Sequence, residues 1–356
     1  MSAAAILIDG SILEGGGQIL RNSVSLSALL SKAVSIHNIR HHRKPPGLKN
    51  QHRTGLQLAA EISSARLTGA TNGSSTIEFL PGPVRLPGHF TADSVTAGST
   101  ALLLQIALPV LLFTSSPSPP SILTLRGGTN AANAPQIDYT KHVFLPFMRK
   151  HFGLEGVDLE IQKRGYFPRG GGEVSVVVSP FFDGGSRERL KGMTLLTRGR
   201  VVSIGGIAHF AGLPAKVGHD MVEGARQKLG TFSASSSDLQ EIPISIDCKR
   251  ERNEVTTGAG SGIVLWAELE GGGMVGGSAL GRKGAHPAMV GAEAAMELIR
   301  GLEAGGCVDE VCHLTAIWVA QQLTDAKFEL EEEPSGHTVI GCHGIGYAAT
   351  PQGLVG

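Results

Sequence analysis

The chain is poor in cysteine, in aromatic residues and in net charge, and each shortage narrows what it can be. Four cysteines (Cys248, Cys307, Cys312, Cys342) in 356 residues are too few for the disulfide framework of a small secreted domain, so a reducing compartment is expected. Lys plus Arg and Asp plus Glu number 31 each, for a formal net charge of zero. A protein that coats long nucleic acid normally carries a basic excess. If this one handles RNA, it grips a short terminus through a local arginine cluster. No long hydrophobic run is present: the longest, Ala101 to Phe113, is interrupted by Gln105 and Pro109 and is too short to span a bilayer. The first residues show no basic segment leading into an apolar core, so no secretory signal is expected. These features together predict a soluble intracellular protein.

Glycine is the opposite case, with 49 residues, about twice ordinary usage. Hydrophobic residues make up 41% of the chain and aromatics only 5%, which allows a real core with many tight connections. A chain of this length suits one large domain with a smaller one. Helical spacing marks Ile19 to Leu30, Leu56 to Ile62, Val95 to Leu112, Tyr139 to His151, Met221 to Leu229, Met289 to Leu302 and Ile317 to Ala326. Strand-like runs fall at Val34–Ile39, Ser75–Leu80, Ile122–Leu125, Leu159–Lys163, Val174–Val178, Val201–His209, Ile242–Cys248, Gly262–Glu268 and Val339–Gly341. Helix and strand alternate throughout, which predicts an α/β (α+β) protein with one supersecondary unit recurring in 15–80 and 94–178. The polar, Gly-rich stretch Phe182-Asp183-Gly184-Gly185-Ser186, the Ser-rich stretch Ser233 to Ser237 and the glycine run Glu270–Gly277 suggest breaks. They predict a small α/β domain inserted at 184–276, with 1–183 and 277–356 forming the large domain.

Asp9-Gly10-Ser11-Ile12-Leu13-Glu14-Gly15-Gly16-Gly17-Gln18-Ile19-Leu20-Arg21 places a carboxylate, three glycines and a guanidinium at the mouth of a helix. Consecutive glycines let N–H groups converge, and a helix start adds partial positive charge, so an anion such as phosphate suits the spot. Glu14 is a candidate holder of a divalent cation there, and Arg21 a candidate partner for another phosphate oxygen. A Gly-rich turn beside a solvated arginine is the plainer alternative. Basic residues cluster at Arg40, His41, His42, Arg43 and Lys44, before Pro45-Pro46-Gly47-Leu48 and Gln51-His52-Arg53; an RNA-phosphate grip and a solvated charge run are both open readings. Further basic glycine motifs are Arg126-Gly127-Gly128-Thr129-Asn130 and Lys163-Arg164-Gly165-Tyr166-Phe167-Pro168-Arg169-Gly170-Gly171-Gly172-Glu173. Three such loops in one chain favour a polyanion site. His313, in Cys312-His313-Leu314-Thr315-Ala316-Ile317, carries a neutral nitrogen able to attack the α-phosphorus of a nucleotide. A zinc site from Cys307, Cys312 and His313 with Cys342-His343 lacks the usual paired-ligand spacing.

In combination, D-G-S-x-L-E-G-G-G-Q-I-L-R-N, P-G-L-x-x-Q-H, T-A-G-S, R-G-G-T-N-x-x-x-A-P-Q-x-D-Y, R-G-Y-F-P-R-G-G-G-E-V and G-x-S-A-L-G-R-K-G resemble the RNA 3′-terminal phosphate cyclase family. The likeness runs from Asp9 to about Ser179 and again from Val275 to Glu310. It implies a large domain of repeated β-α-β-α-β-β units, three in the family, with a small inserted α/β domain. It also implies ATP and Mg²⁺ (or Mn²⁺) as cofactors, RNA 3′-phosphate ends as partners, and no membrane. The implied chemistry adenylates a histidine, moves AMP to the RNA 3′-phosphate, and closes a 2′,3′-cyclic phosphate by attack of the 2′-OH. By position, His313 resembles the nucleophile, Glu14 the metal-contacting carboxylate, and Arg21, Gln105 and Pro135 the nucleotide contacts. Arg40, Arg43, Gln51 and His52 resemble the phosphate-end site. Eukaryotic relatives imply a nuclear location.

One segment departs from the family pattern. After Gly305 to Glu310 the family continues with a Tyr/Leu-x-Asp-Gln-Leu helix and a His-Thr-Gln-Thr-Ala-Ile segment. Here Val311-Cys312-His313 runs directly into Leu314-Thr315-Ala316-Ile317. The nucleotide-contacting Asp and Gln are absent, and His313 stands one residue closer to Thr-Ala-Ile. That loss favours a rival reading, a catalytically impaired relative acting as a ribosome-biogenesis scaffold. An enolpyruvyl transferase with a similar repeated architecture fits the motifs less well.

Overall fold

The computed structural model describes residues 4–113, 118–181, 192–235, 242–305, 310–333, 338–345 and 347. The expected breaks at Phe182 to Ser186, the end of the Ser-rich stretch (236–237) and Cys307 lie outside these residues, as do the side chains of residues 233–235 and Cys312.

The first half of the chain folds the same unit twice. In the first copy, β1 (Ile6–Asp9), α1 (Gly17–Leu30), β2 (Val34–His37), α2 (Asn50–Ile62), β3 (Arg66–Thr68) and β4 (Ile77–Leu80) build a sheet of order β1-β2-β4-β3. In the second copy, β5 (His89–Asp93) is followed by α3 (Thr100–Leu112) and β6 (Ser121–Gly127). A helical stretch comes next: α4 (Ile137–Tyr139), a π-helical segment (Thr140–Phe144) and α5 (Leu145–Phe152). β7 (Val157–Gly165) and β8 (Gly172–Val178) complete the unit, giving the order β5-β6-β8-β7, to which the two-residue β11 (Thr256–Thr257) adds at the β7 edge. In both copies the first two strands are parallel and the last two pair antiparallel, so the repeated β-α-β-α-β-β pattern is real.

Alternation explains the strands. Ile77 and Phe79 point into the core while Glu78 faces out, and Val174, Val176 and Val178 do the same on β8. Helix α3 differs: it is buried almost all round, as a helix sandwiched between others must be. Gly55 on α2 lets the chain approach Leu103 and Ile106 of α3 at about van der Waals distance, because a Cβ there would already lie 3.6 and 3.5 Å from them. The expected helix at Val95 begins only at Thr100, since residues 94–98 turn tightly and Ser99 caps the helix through the Leu102 N–H. Strands β1, β3 and β5 were not foreseen; they are three to five residues long, too short for a periodic signal.

Residues 201–303 form a second layered body. β9 (Val201–Ala211), α6 (Ala215–Ser235), β10 (Ile244–Arg250), β12 (Gly260–Leu269) and β13 (Met274–Leu280) build a sheet of order β10-β9-β12-β13. Helix α7 (Pro287–Glu303) lies against α6 and β13. The hydrophobic core of this body includes Val275 of β13 and Val290, Ala294 and Leu298 of α7, so it extends past residue 276. The chain rejoins the first core at α8 (Glu310–Leu323), through Val319 and Leu323. A hairpin of β14 (Lys327–Glu332) and β15 (Thr338–His343) follows. Among the described residues no helix is long and apolar enough to cross a membrane.

A buried polar cluster joins the two bodies. Arg164 on β7 is 2% exposed; its two terminal nitrogens meet the Asp138 carboxylate, at 2.5 and 2.8 Å, and its Nε donates to Glu251 at 3.0 Å. Gln136 donates through Nε2 to the carbonyls of Ile263 and Ala279, both at 3.1 Å, so its Oε1 is an acceptor. That oxygen receives the His209 Nε2–H at 3.0 Å. His209 Nδ1 is therefore the acceptor for the Tyr166 hydroxyl at 2.8 Å. Burial, with the Arg164 charge adding to it, lowers the His209 pKa to about 3 despite the opposing Asp138 carboxylate. Burial alone would raise Asp138, but Arg164 and His209 outweigh it and hold the carboxyl well below the usual range.

Candidate active site

The starts of three helices converge on one spot. Helix α1 begins at Gly17 after Gly16, with no side-chain cap on its first N–H groups, which leaves that end suited to an anion. Gln51, in the first turn of α2, accepts the N–H of Ser99 at the start of α3 at 2.8 Å. His52, beside it, turns its ring toward α1: a Cβ built on Gly17 would lie 2.7 Å from His52 Nε2 and 2.8 Å from Arg21 Nη1. Only glycine permits that approach of ring, guanidinium and backbone.

The ionisation of the spot follows from its contacts. His52 Nδ1 accepts the Lys49 N–H at 3.1 Å, so in the neutral ring the proton resides on Nε2, facing Gly17 and Arg21. Burial, together with the charges of Arg40, Arg21 and Lys49, lowers its pKa to about 4. At neutral pH it is an uncharged N–H donor. Arg21 Nε donates to Gln105 Oε1 of α3 at 2.6 Å, which fixes the guanidinium plane. Arg43 Nη2 reaches both the Glu14 carbonyl at 2.9 Å and its Oε1 at 3.3 Å. The other carboxylate oxygen takes the Gly16 N–H at 2.7 Å. One carboxylate, two arginines and a neutral imidazole donor thus face the glycine turn.

Helix α8 closes the spot from the far end of the chain. The hydroxyl of Thr315, fully buried, accepts the Glu14 N–H at 3.2 Å across 301 positions. His313 is half-buried two residues earlier on the same helix, so its backbone is within one helical turn of that contact. Thr315 was no candidate from sequence; its position two residues after His313 was the one available signal.

The expected site residues therefore divide. Glu14, Arg21, Arg43, Gln51, His52 and Gln105 meet around the glycine turn, with α8 alongside. Arg40 behaves otherwise: it is 7% exposed, and its Nη1 donates to the carbonyls of Pro45 and Gly47, both at 2.9 Å. Its guanidinium braces the Pro-Pro loop from within. Pro135 is exposed on the 130–136 loop, by the cleft between the two bodies. The two later glycine motifs are not anion nests. The Gly128 and Thr129 N–H groups bond the Gly98 and Gly165 carbonyls, Arg126 pairs with Glu173 at 2.7 Å, and Arg164 is engaged by Asp138 and Glu251. Those glycines serve close backbone packing: a Cβ on Gly165 would strike the Gly172 backbone nitrogen. Among the described residues no group of three or more His, Cys, Asp or Glu side chains is placed to hold a metal ion.

Comparison with known proteins agrees with the glycine turn, the repeated unit and the motifs around them. The family model described as "RNA 3′-terminal phosphate cyclase" matches residues 12–330. An RNA 3′-terminal phosphate cyclase of Pyrobaculum aerophilum is 36% identical, over 96% of this chain and 99% of its own length. The Thermococcus kodakarensis protein of that name is 37% identical, over 92% of this chain and 94% of its own. The Drosophila melanogaster protein of that name is 35% identical, over 96% of each chain. With likeness extending over nearly the whole length and the glycine turn, Arg21 and the repeated unit all inside the matched span, this chain belongs to the RNA 3′-terminal phosphate cyclase family.

Proposed function

We propose that the chain uses ATP to convert an RNA 3′-phosphate end into a 2′,3′-cyclic phosphate. In the first step a His313 ring nitrogen attacks the α-phosphorus, an N–P bond forms, and pyrophosphate leaves. The 3′-phosphate oxygen of RNA then takes the AMP group from His313. Finally the neighbouring 2′-OH attacks the terminal phosphorus, loses its proton, and AMP departs. The last step gains from proximity, because the 2′-OH is already beside its target on the same ribose.

The observation that supports this most is the Glu14–Thr315 bond, which draws the His313 helix to the glycine turn. Arg21, held by Gln105, neutralises nucleotide phosphate, and Pro135 offers an apolar face to the nucleotide. Arg43, Gln51 and the His52 Nε2–H receive the RNA phosphate, while Arg40 keeps their loop in shape. A Mg²⁺ or Mn²⁺ ion, when bound, offsets charge on the triphosphate. Glu14 is a lone carboxylate already beside Arg43. It suits an ion that draws most of its ligands from phosphate and water, as Mg²⁺ does, and not a closed all-protein cage.

The absent Asp and Gln of the family's nucleotide helix favour a second reading, a non-catalytic scaffold in ribosome biogenesis. Incubation with α-labelled ATP and Mg²⁺ separates the two. The enzyme forms an acid-labile adduct that His313→Ala abolishes, and then yields cyclic ends on 3′-phosphorylated RNA. A folded wild-type protein with neither adduct nor cyclic product points to the scaffold.

A further inference from the structure

Two grooves meet at one exposed aromatic ring. The smaller, of about 760 Å³, is lined by Lys49, Asn50 and Gln51 and runs to Phe167 and Pro168. The larger, of about 1160 Å³, begins at the same Phe167 and Pro168 and continues between the two bodies to Arg282, Lys283 and Arg300. Gln51 also lines the crevice that holds Arg21 and His52. Gln51 is shared by the crevice and the smaller groove, and Phe167 by the two grooves, so the candidate phosphate-end site, the smaller groove and the inter-body cleft adjoin in turn.

Phe167 is 71% exposed. A single exposed apolar side chain is ordinary, but this one is held on a firm base. Tyr166 beneath it is 3% exposed and anchored by His209. The Gly170 N–H closes the turn onto the Tyr166 carbonyl at 2.9 Å. Gly170 packs so tightly on the Thr96–Ala97 backbone that a Cβ would lie 2.6 Å from the Thr96 carbonyl oxygen.

The larger cleft has Lys283 and Arg300, beside the Glu293-paired Arg282, at its far end and the exposed Asn133 amide near the ring; the Asn130 and Gln136 amides are buried and bonded within the polar cluster. The cleft's two carboxylates are engaged: Glu293 pairs with Arg282, and Glu297 accepts the Ser278 N–H at 2.8 Å. A small ligand typically fills a pocket of roughly 300–1,000 Å³, so the joined grooves exceed what one nucleotide needs. An exposed ring beside a groove that carries cations is how single-stranded nucleic acid is tracked without strong sequence preference.

We propose that Phe167 is a stacking platform for a base upstream of the RNA 3′ end, and that the strand continues into the cleft between the two bodies toward Lys283. This rests on the RNA-end reading above and adds the path of the rest of the strand. Phe167 positions the strand and touches no reacting atom.

Fluorescence anisotropy with 3′-phosphorylated oligoribonucleotides of two to eight nucleotides, without ATP, tests it. Wild-type affinity rises with length beyond the dinucleotide. Phe167→Ala raises the Kd of the eight-mer about tenfold, in the range of one lost base–aromatic stack, while Phe167→Trp keeps it near wild type. An abasic site at the stacked position weakens wild type equally and removes the difference between wild type and Phe167→Ala. Lys283→Ala weakens the eight-mer and leaves the dinucleotide alone. If wild type binds 3′-phosphorylated RNA but Phe167→Ala has the same eight-mer Kd, the platform is refuted. If wild type does not prefer 3′-phosphate to 3′-hydroxyl ends, the RNA-end reading itself fails.

Discussion

Lowering the pH from 7 to 5 should cost the fold about 2 kcal/mol through one side chain, His209. Its imidazole is fully buried and titrates near 3 when folded, against 6.5 for an ordinary histidine. A depressed folded-state pKa means the unfolded chain binds the extra proton first. The contribution is therefore complete above pH 6.5 and declines as pH falls toward 3. Single-site linkage puts the loss at about 2 kcal/mol at pH 5, with little lost at pH 7. His52 and His142 are also depressed and add to the total, so the useful quantity is a difference between proteins. His209→Gln retains a donor for Gln136 and an acceptor for Tyr166 but has no proton to titrate. Urea unfolding of wild type and His209→Gln at both pH values should show the wild type losing about 2 kcal/mol more between pH 7 and 5. The ¹³C-labelled imidazole of His209 should keep its neutral chemical shift down to pH 4.5. An identical pH response in both proteins, or a His209 resonance titrating near 6.5, would refute the argument.

Asp138→Asn removes one of the two carboxylates that engage the buried Arg164 guanidinium, leaving Glu251, and should cost about 1.5–3 kcal/mol in the same unfolding measurement. Gly17→Ala introduces a Cβ against His52 Nε2 and Arg21 Nη1; nucleotide adduct formation should fall at least about tenfold with the far-UV circular dichroism unchanged, since each 1.4 kcal/mol of misplacement is a factor of ten. Thr315→Val removes the acceptor for the Glu14 N–H and should lower stability by about 1–3 kcal/mol, while slowing adduct formation by loosening α8 from the glycine turn.

Much of the fold was legible because it is written in short-range pattern. The alternation in β4 and β8, the continuous apolar run of β12 and the helical spacing of α1 and α7 give those elements without any tertiary information, and the recurrence of the unit was visible from their order. The short strands β1, β3 and β5 were not, since each leans on a neighbour for its pairing. The glycine turn, Arg21 and His52 were readable as candidates because three glycines before a helix impose a backbone shape that few other residues allow. The later glycine motifs look the same on paper but serve strand packing. Nothing local distinguishes an open N–H group from one already bonded to a carbonyl 30 or more residues away.

By itself, the sequence determined the kind of elements, their order and the chemistry on offer: the α/β alternation, the Glu14–Arg21 turn, the basic loop at 40–53 and the family they belong to. Tertiary structure decided which of those charges are available. It turned Arg40 and Arg164 inward, Arg40 onto backbone carbonyls and Arg164 onto carboxylates; it left Arg43 beside Glu14 and made His52 a neutral donor. It also drew α8 to a loop 301 positions away. The physical reason is that a side chain's charge state and partners depend on burial and on neighbours distant in sequence, and only the packed chain supplies those.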